Sequence, residues 1–194
     1  MHRRTFDVLA VTAGLVIAAI LLMAGGLLTW GSSVVNNDVH TQLAAQKIVF
    51  PANNSPAIKA PEFAAMHQYA GELMTTGAQA EVYADHFIAN HLIEIGGGKT
   101  YAQLSTESLA QPKNATLAAQ VQTVFRGETL RGMLLNAYGF WQMGQIMAIA
   151  AIAAWAAAGL MLLLSGLGVL HLRRTSPQAE MFPKLTSKPQ PATV

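Results

Sequence analysis

The chain has 194 residues, of which 52% are hydrophobic and only 11% are charged. Soluble domains carry about 25% charged residues, so this composition is typical of a membrane protein. There is no cysteine, which excludes disulfides, thiolate nucleophiles and zinc–thiolate sites. The net charge of +2 comes without a cluster of Lys and Arg, so the pattern does not favour nucleic-acid binding.

The first predicted element is a transmembrane helix over residues 8–31, after a short head formed by residues 1–7. Residues 8–30 are apolar and uncharged. This run exceeds the roughly 7–15 residues of a signal-peptide core, and no A-x-A-like cleavage site follows it. The pattern therefore favours an uncleaved anchor, with a cleaved signal peptide as the alternative.

Residues 32–142 are predicted to form a small helical domain. In residues 32–46, Asn37 could cap a helical turn. Prolines break regular structure over residues 47–61, where we expect Ile48, Val49 and Phe50 to pack on the domain. Helical spacing then predicts helices over 61–74 and 78–95 and a short helix within 100–109. No strand alternation is sustained, so the predicted fold class is an all-α membrane protein.

The last predicted element is a long helix capped by Asn114 and continuous with a second transmembrane helix over residues 143–170. Residues 114–174 contain no proline, and residues 143–170 contain no charged residue. About 20 apolar residues suffice to span a bilayer. Gly132 and Gly139 are the predicted places for a bend. Residues 171–194 are predicted to be a cytoplasmic tail, disordered after Arg174.

Charge on the flanks predicts the topology of the two spans. Arginines lie on the outer side of each apolar run: Arg3, Arg4, Arg173 and Arg174. Positively charged flanks stay cytoplasmic, so we expect both termini inside a plasma membrane and residues 32–142 outside. Trp30 and Trp141 then fall near the same outer interface, which suits their amphipathic rings.

Small residues predict how the spans associate. They recur at four-residue spacing in both spans: Ala10, Gly14 and Ala18 in the first, and Ala150, Ala154 and Ala158 in the second. Helices in lipid approach closely at small residues. The pattern predicts that the two spans pack on each other; contact with the helix of a partner or a second copy is the alternative.

A polar cluster offers candidate metal ligands: His67, His86, His91 and Glu94. Imidazole and carboxylate groups can ligate zinc or iron. However, His86 and His91 are five residues apart, about 140° around a helix, so they do not easily share one ion. The alternative is a solvated helix face on which His91 and Glu94 form a local pair. No cofactor is predicted.

Two further segments have functional and structural interpretations. Residues 96–100 end like a phosphate-binding loop, but Ile93 stands where the first glycine is needed, so no nucleotide is predicted. Arg126, Glu128 and Arg131 precede the second span and could form a docking collar for lipid head groups or a partner. Ordinary interfacial anchoring is the alternative, with Glu128 and Arg131 as an (i, i+3) pair.

Four runs together resemble a family of small actinobacterial membrane proteins. They are residues 42–51 (QLAAQKIVFP), 83–86 (YADH) with His91 and Leu92, 98–102 (GKTYA) and 127–132 (GETLRG). The resemblance covers most of residues 8–174 and implies a bacterial plasma membrane and two spans. Members are sometimes labelled aromatic ring-opening dioxygenases. Such enzymes need iron held by His and carboxylate ligands in a closed pocket, which the ligand spacing here does not favour.

The sequence thus predicts a non-enzymatic integral membrane protein. Its partners would be the lipid bilayer and other membrane or envelope proteins, or a second copy, for example as an accessory subunit of a larger complex. The alternative is a metal-dependent enzyme, dioxygenase-like, or a sensor that uses the cluster of His67, His86, His91 and Glu94.

Overall fold

The computed structural model describes residues 3–174, which are almost entirely helical. In chain order the elements are α1 (Arg3–Gln46), 3-10 helices at Pro56–Ile58 and Pro61–Tyr69, α2 (Gly77–Val82), a π-helix (Tyr83–Ile88), α3 (Ala89–Gly96), α4 (Tyr101–Ala110) and α5 (Ala115–Arg174). Within the described residues the β-type pairing is limited to one antiparallel bridge, Val49 with Leu73. The all-α prediction is confirmed. The tail predicted to be disordered after Arg174 lies outside the described residues.

The two long helices run through both of the compact units into which the chain divides. The described residues of the terminal unit are 3–28 and 149–174, and the central unit is Thr29–Ala148. Each long helix contains a stretch long and apolar enough to cross a membrane. This confirms two candidate spans at the predicted places in the chain.

The prediction of a separate capped turn at Asn37 is wrong, because α1 continues without a break to Gln46. Val39 and Leu43 keep helical spacing and are buried, so tertiary packing holds the helix here. The helix then ends at Lys47, whose φ of 54° lies in the left-handed region.

The predicted helix over residues 61–74 is wrong beyond Tyr69. A 3-10 helix covers Pro61–Tyr69, and Gly71 then takes a φ of +79° that a helix does not allow. The backbone instead pairs with the crossing segment, since Phe50 N–H donates to Glu72 O at 2.9 Å and Met74 N–H to Ile48 O at 2.8 Å. Phe50 is buried as expected, whereas Val49 is exposed.

The predicted helix over residues 78–95 exists as one helical run from α2 through the π-helix to α3. Thr76 caps its start through a reciprocal box with Gln79, and Gly97, with a φ of 59°, ends it. Asn114 starts α5 as predicted, because its Oδ1 accepts the Leu117 N–H at 3.0 Å. The helix is uninterrupted at Gly132 and Gly139, the predicted bends. The central unit closes around fully buried side chains, among them Phe50, Ile58, Met66, Met74, Leu104 and Val124.

Candidate functional site

A concave site in the central unit is a groove between α1 and α5. Its volume is about 540 Å³. The lining residues come from two antiparallel helix segments and from the second residue after the end of α1: Val35, Asp38, Val39, Gln42, Leu43, Gln46, Ile48, Leu130, Met133, Leu134, Asn136, Ala137 and Phe140. We call this site the α1–α5 groove. Its volume falls within the roughly 300–1,000 Å³ of small-molecule sites.

The groove has an apolar floor and one polar edge. Val39, Leu43 and Leu134 are each less than 10% exposed and form the floor. Met133 and Phe140 remain 65% and 51% exposed on the α5 side. The polar edge follows one row of α1, at Asp38, Gln42 and Gln46, which are spaced four residues apart. A few polar groups beside a large apolar surface suit an amphipathic ligand.

A polar contact joins α1 to α5 in the central unit, near the Val35 end of the groove. Asn36 donates to Ser32 O at 2.9 Å, and its Oδ1 accepts from Gln145 Nε2 at 3.1 Å. Gly144 lies directly against the Asn36 amide, where a Cβ would approach its nitrogen to 2.8 Å. The small residue lets the two helices come close enough for this contact, which sets their register.

Arg131 is engaged within the central unit. Its guanidinium donates to Asp85 Oδ1 at 2.7 Å and lies 3.6 Å from Glu128, which confirms the (i, i+3) pair. Arg126 and Glu128 are exposed. Arg131 therefore ties α5 to the π-helix, and of the predicted collar Arg126 and Glu128 stay on the surface.

The π-helix carries an aromatic cluster. Tyr83 packs edge-on against Phe50 with ring centroids 5.3 Å apart and contacts Phe87 at 4.8 Å. Burial raises the pKa of the Tyr83 hydroxyl above its ordinary value. The insertion of a π-turn often marks a functional position, and here it accompanies the placement of Asp85 opposite Arg131.

The structure does not bring the predicted metal ligands together. His67 Nδ1 lies 2.9 Å from Asn53 Oδ1. His91 Nδ1 bonds the Phe87 carbonyl at 2.7 Å, so the predicted pair with Glu94 is replaced by a backbone contact. His86 is half-buried and Glu94 is exposed. Across residues 3–174 no group of three or more His, Cys, Asp or Glu side chains could hold a metal ion.

In the terminal unit, α1 and α5 pack through a seam of mostly small residues. Buried and half-buried positions alternate at spacings of three and four: Val11, Gly14, Ala18, Leu21 and Gly25 on α1, and Ala151, Ala154, Ala158, Met161, Ser165 and Gly168 on α5. This is the 3.5-residue period of a left-handed helix pair. Of the predicted contact residues, Gly14, Ala18, Ala154 and Ala158 lie on the seam, whereas Ala10 is exposed.

The amino-acid sequence did not lead us to predict the groove or the contact made by Asn36. A usable signal exists, because Val35, Val39 and Leu43 continue the helical spacing past the first apolar run. The α5 segment that completes the groove, residues 130–140, lies almost 100 residues away in the chain. No local sequence pattern predicts that it packs beside α1.

Comparison with known proteins gives this site no precedent. No protein-family model, no curated protein and no solved structure matches this chain.

Proposed function

We propose that this chain is a non-enzymatic integral membrane protein. In this proposal α1 and α5 cross a plasma membrane, both termini are cytoplasmic, and residues 32–142 form an extracytoplasmic helical domain. That domain binds other membrane or envelope proteins, for example as an accessory subunit of a larger complex.

The observation that carries the proposal is the inverted burial of the terminal unit. Its seam is made mostly of small residues, while large apolar side chains such as Ile17, Met23, Ile152 and Leu163 are 43–69% exposed. Only 11% of the most apolar 18-residue window of either long helix is buried. A core helix of a soluble protein would be mostly buried. The exposed apolar faces of these two helices therefore support their contact with the hydrocarbon of a lipid bilayer.

The absence of cysteine allows a direct test of the topology. Lys113 is exposed on the central unit, and Ser187 lies in the predicted cytoplasmic tail. In intact cells, a membrane-impermeant maleimide should label Lys113→Cys and spare Ser187→Cys, and it should label both after the cells are opened. Labelling of Ser187→Cys alone in intact cells would contradict the proposed topology.

One face of the central unit supports the binding of a protein partner. Tyr101 of α4 and Phe125 of α5 contact each other, with ring centroids 5.6 Å apart, and are 38% and 48% exposed. Aromatic residues are enriched in protein–protein interfaces and among the residues that contribute most of the binding free energy. Arg126, next to Phe125, is also exposed and can form part of the polar rim.

The partner test uses photocrosslinking from this face in living cells. A photoreactive amino acid at Phe125 should give a discrete crosslinked band that disappears with Tyr101→Ser. The same amino acid at Thr123, an exposed position two residues earlier on α5, is the matched control and should give no such band. Equal crosslinking from both positions would contradict the proposal that the face with Tyr101 and Phe125 binds a partner.

A further inference from the structure

We propose that the α1–α5 groove binds a membrane lipid whose head group carries no net negative charge. The lipid would lie along the groove, with its acyl chain on the apolar floor and its head-group atoms against the edge formed by Asp38, Gln42 and Gln46. This inference rests on the proposed membrane topology.

The dimensions of the groove fit an acyl chain better than a helix. The lining residues run from Val35 to Gln46 on α1 and from Leu130 to Phe140 on α5. At a rise of 1.5 Å per residue, each segment is roughly 16 Å long. Spread over that length, 540 Å³ corresponds to a mean cross-section of about 34 Å². A helix with its side chains is about 10–12 Å wide and does not fit. One leaflet of a bilayer core is about 15 Å thick, so the groove matches an acyl chain in length.

The position of the groove on its helices gives a lipid a route into it. Val35 lies four residues after the end of the first predicted span, and Phe140 lies three residues before the second. Because the helices are antiparallel, both residues are at the same end of the groove. Exposed Met143 and Ile146 continue the apolar surface of α5 beyond Phe140. An acyl chain can therefore enter from the bilayer along apolar surface.

The charge of the lining selects the head group. Among the lining residues Asp38 is the sole ionisable one, and there is no Lys or Arg to neutralise a phosphate. The amides of Gln42, Gln46 and Asn136 can exchange hydrogen bonds with hydroxyl or amine groups. An ammonium group can meet the Asp38 carboxylate, whereas a lipid with net negative charge would be repelled.

The experiment places the purified full chain in phosphatidylcholine vesicles that contain one of two probes with the same diazirine acyl chain. The probes are phosphatidylethanolamine and phosphatidylglycerol. After irradiation, crosslinked peptides are mapped by mass spectrometry. We expect labels at Leu43 and Met133, which lie roughly 15–18 Å along the helices from the nearest predicted span end. We expect phosphatidylethanolamine to label about threefold more, the size of effect that an exposed charge contact supports.

Two matched variants test the site itself. Ala137→Phe fills the groove and should abolish the labels at Leu43 and Met133. Gly132→Phe adds the same side chain to α5 outside the groove lining, where nothing lies within 4 Å, and should keep them. Asp38→Asn should keep the labels and remove the preference between probes. Because Ala137→Phe could misfold, Met133→Gln and Phe140→Gln, both at exposed positions, should also weaken the label at Leu43.

Several results would overturn the inference. Labels confined to residues 8–31 and 143–170, or a label at Leu43 unchanged in Ala137→Phe, would show that the groove holds no lipid. An unlabelled groove in a chain that Ala137→Phe shifts from dimer to monomer would show that a second copy fills it. Equal labelling by both probes would overturn the charge selection. The maleimide assay separates these failures from a failure of the proposed topology.

Discussion

At the scale of single residues, the role that the structure gives Arg131 differs from the role predicted from the sequence. The sequence places it in a charged collar beside the membrane. The structure gives its guanidinium two carboxylate partners, Asp85 across the domain and Glu128 one turn earlier. The Asp85 contact is short and joins two elements, whereas the Glu128 contact is long and stays within one helix. The two contacts should therefore contribute differently to stability.

Asp85→Asn should destabilise the central unit by about 1 kcal/mol, because the charge-assisted bond between α5 and the π-helix is weakened while both groups stay partly exposed. Glu128→Gln should cost less than about 0.5 kcal/mol, as exposed (i, i+3) pairs do. Hydrogen exchange of peptides from residues 77–96, measured on the full chain in mild detergent, reports both. Equal effects would mean that the Asp85 contact does not join the two elements.

Sequence reasoning at this scale succeeds where the interaction is local. Asn114 caps the helix that follows it within three residues, and Gly97 ends a helix by its own backbone freedom. Asp85 and Arg131 are 46 residues apart, and the sequence pattern groups Arg131 only with its neighbours Arg126 and Glu128. A charge pattern does not show which distant partner a side chain meets, and that depends on the fold.

At the scale of elements, the packing of α5 on α2 depends on a glycine. A Cβ added at Gly77 would collide with the Cβ and ring of Trp141. Trp141, expected to anchor at a membrane interface, is half-buried against this glycine and stacks on Tyr138 at a centroid distance of 6.1 Å. The Cβ and Cγ of Trp141 lie next to the α5 backbone, so they cannot move away without shifting the helix.

Gly77→Ala should therefore destabilise the central unit by about 1–3 kcal/mol through overpacking. Gly132→Ala adds the same methyl group to an open position of α5 and should stabilise the helix by about 0.5–1 kcal/mol, because alanine loses less backbone entropy. Thermal unfolding in mild detergent, followed by circular dichroism, compares the two variants. A shift in the same direction for both would contradict the close contact at Gly77.

The elements that the sequence predicts well are those that end on local signals. Thr76 and Gly97 bound the α2–α3 run, Thr100 caps the start of α4, and Asn114 caps the start of α5. The helix over residues 61–74 fails because its periodicity continues into Leu73, whose backbone segment pairs with Val49 instead. Whether this segment forms a helix or a bridge depends on its long-range contact with Val49 in the same chain. The local sequence pattern does not contain that contact.

At the scale of the whole chain, two segments separated by more than 100 residues form the terminal unit. The sequence predicted close helix approach through small residues four apart. The seam instead has a 3.5-residue period and uses Gly14 and Ala158 among its members. Small residues indicate that helices approach closely, but the choice between the two periods depends on which larger neighbours, such as Trp155 over Gly25, fill the gaps.

An engineered disulfide tests whether this seam forms within one chain. A Cβ at Gly14 would lie 3.8 Å from the Ser165 Cβ, which is the mean separation in disulfides. Because the chain has no other cysteine, mild oxidation of Gly14→Cys with Ser165→Cys should give a crosslinked monomer that migrates faster on a gel until it is reduced. Leu15→Cys with Ser165→Cys, which turns one cysteine toward the exposed face, should stay uncrosslinked. A crosslinked dimer from the first pair would instead assign the seam to helices of two different chains, and the self-association predicted as the alternative would replace intramolecular packing.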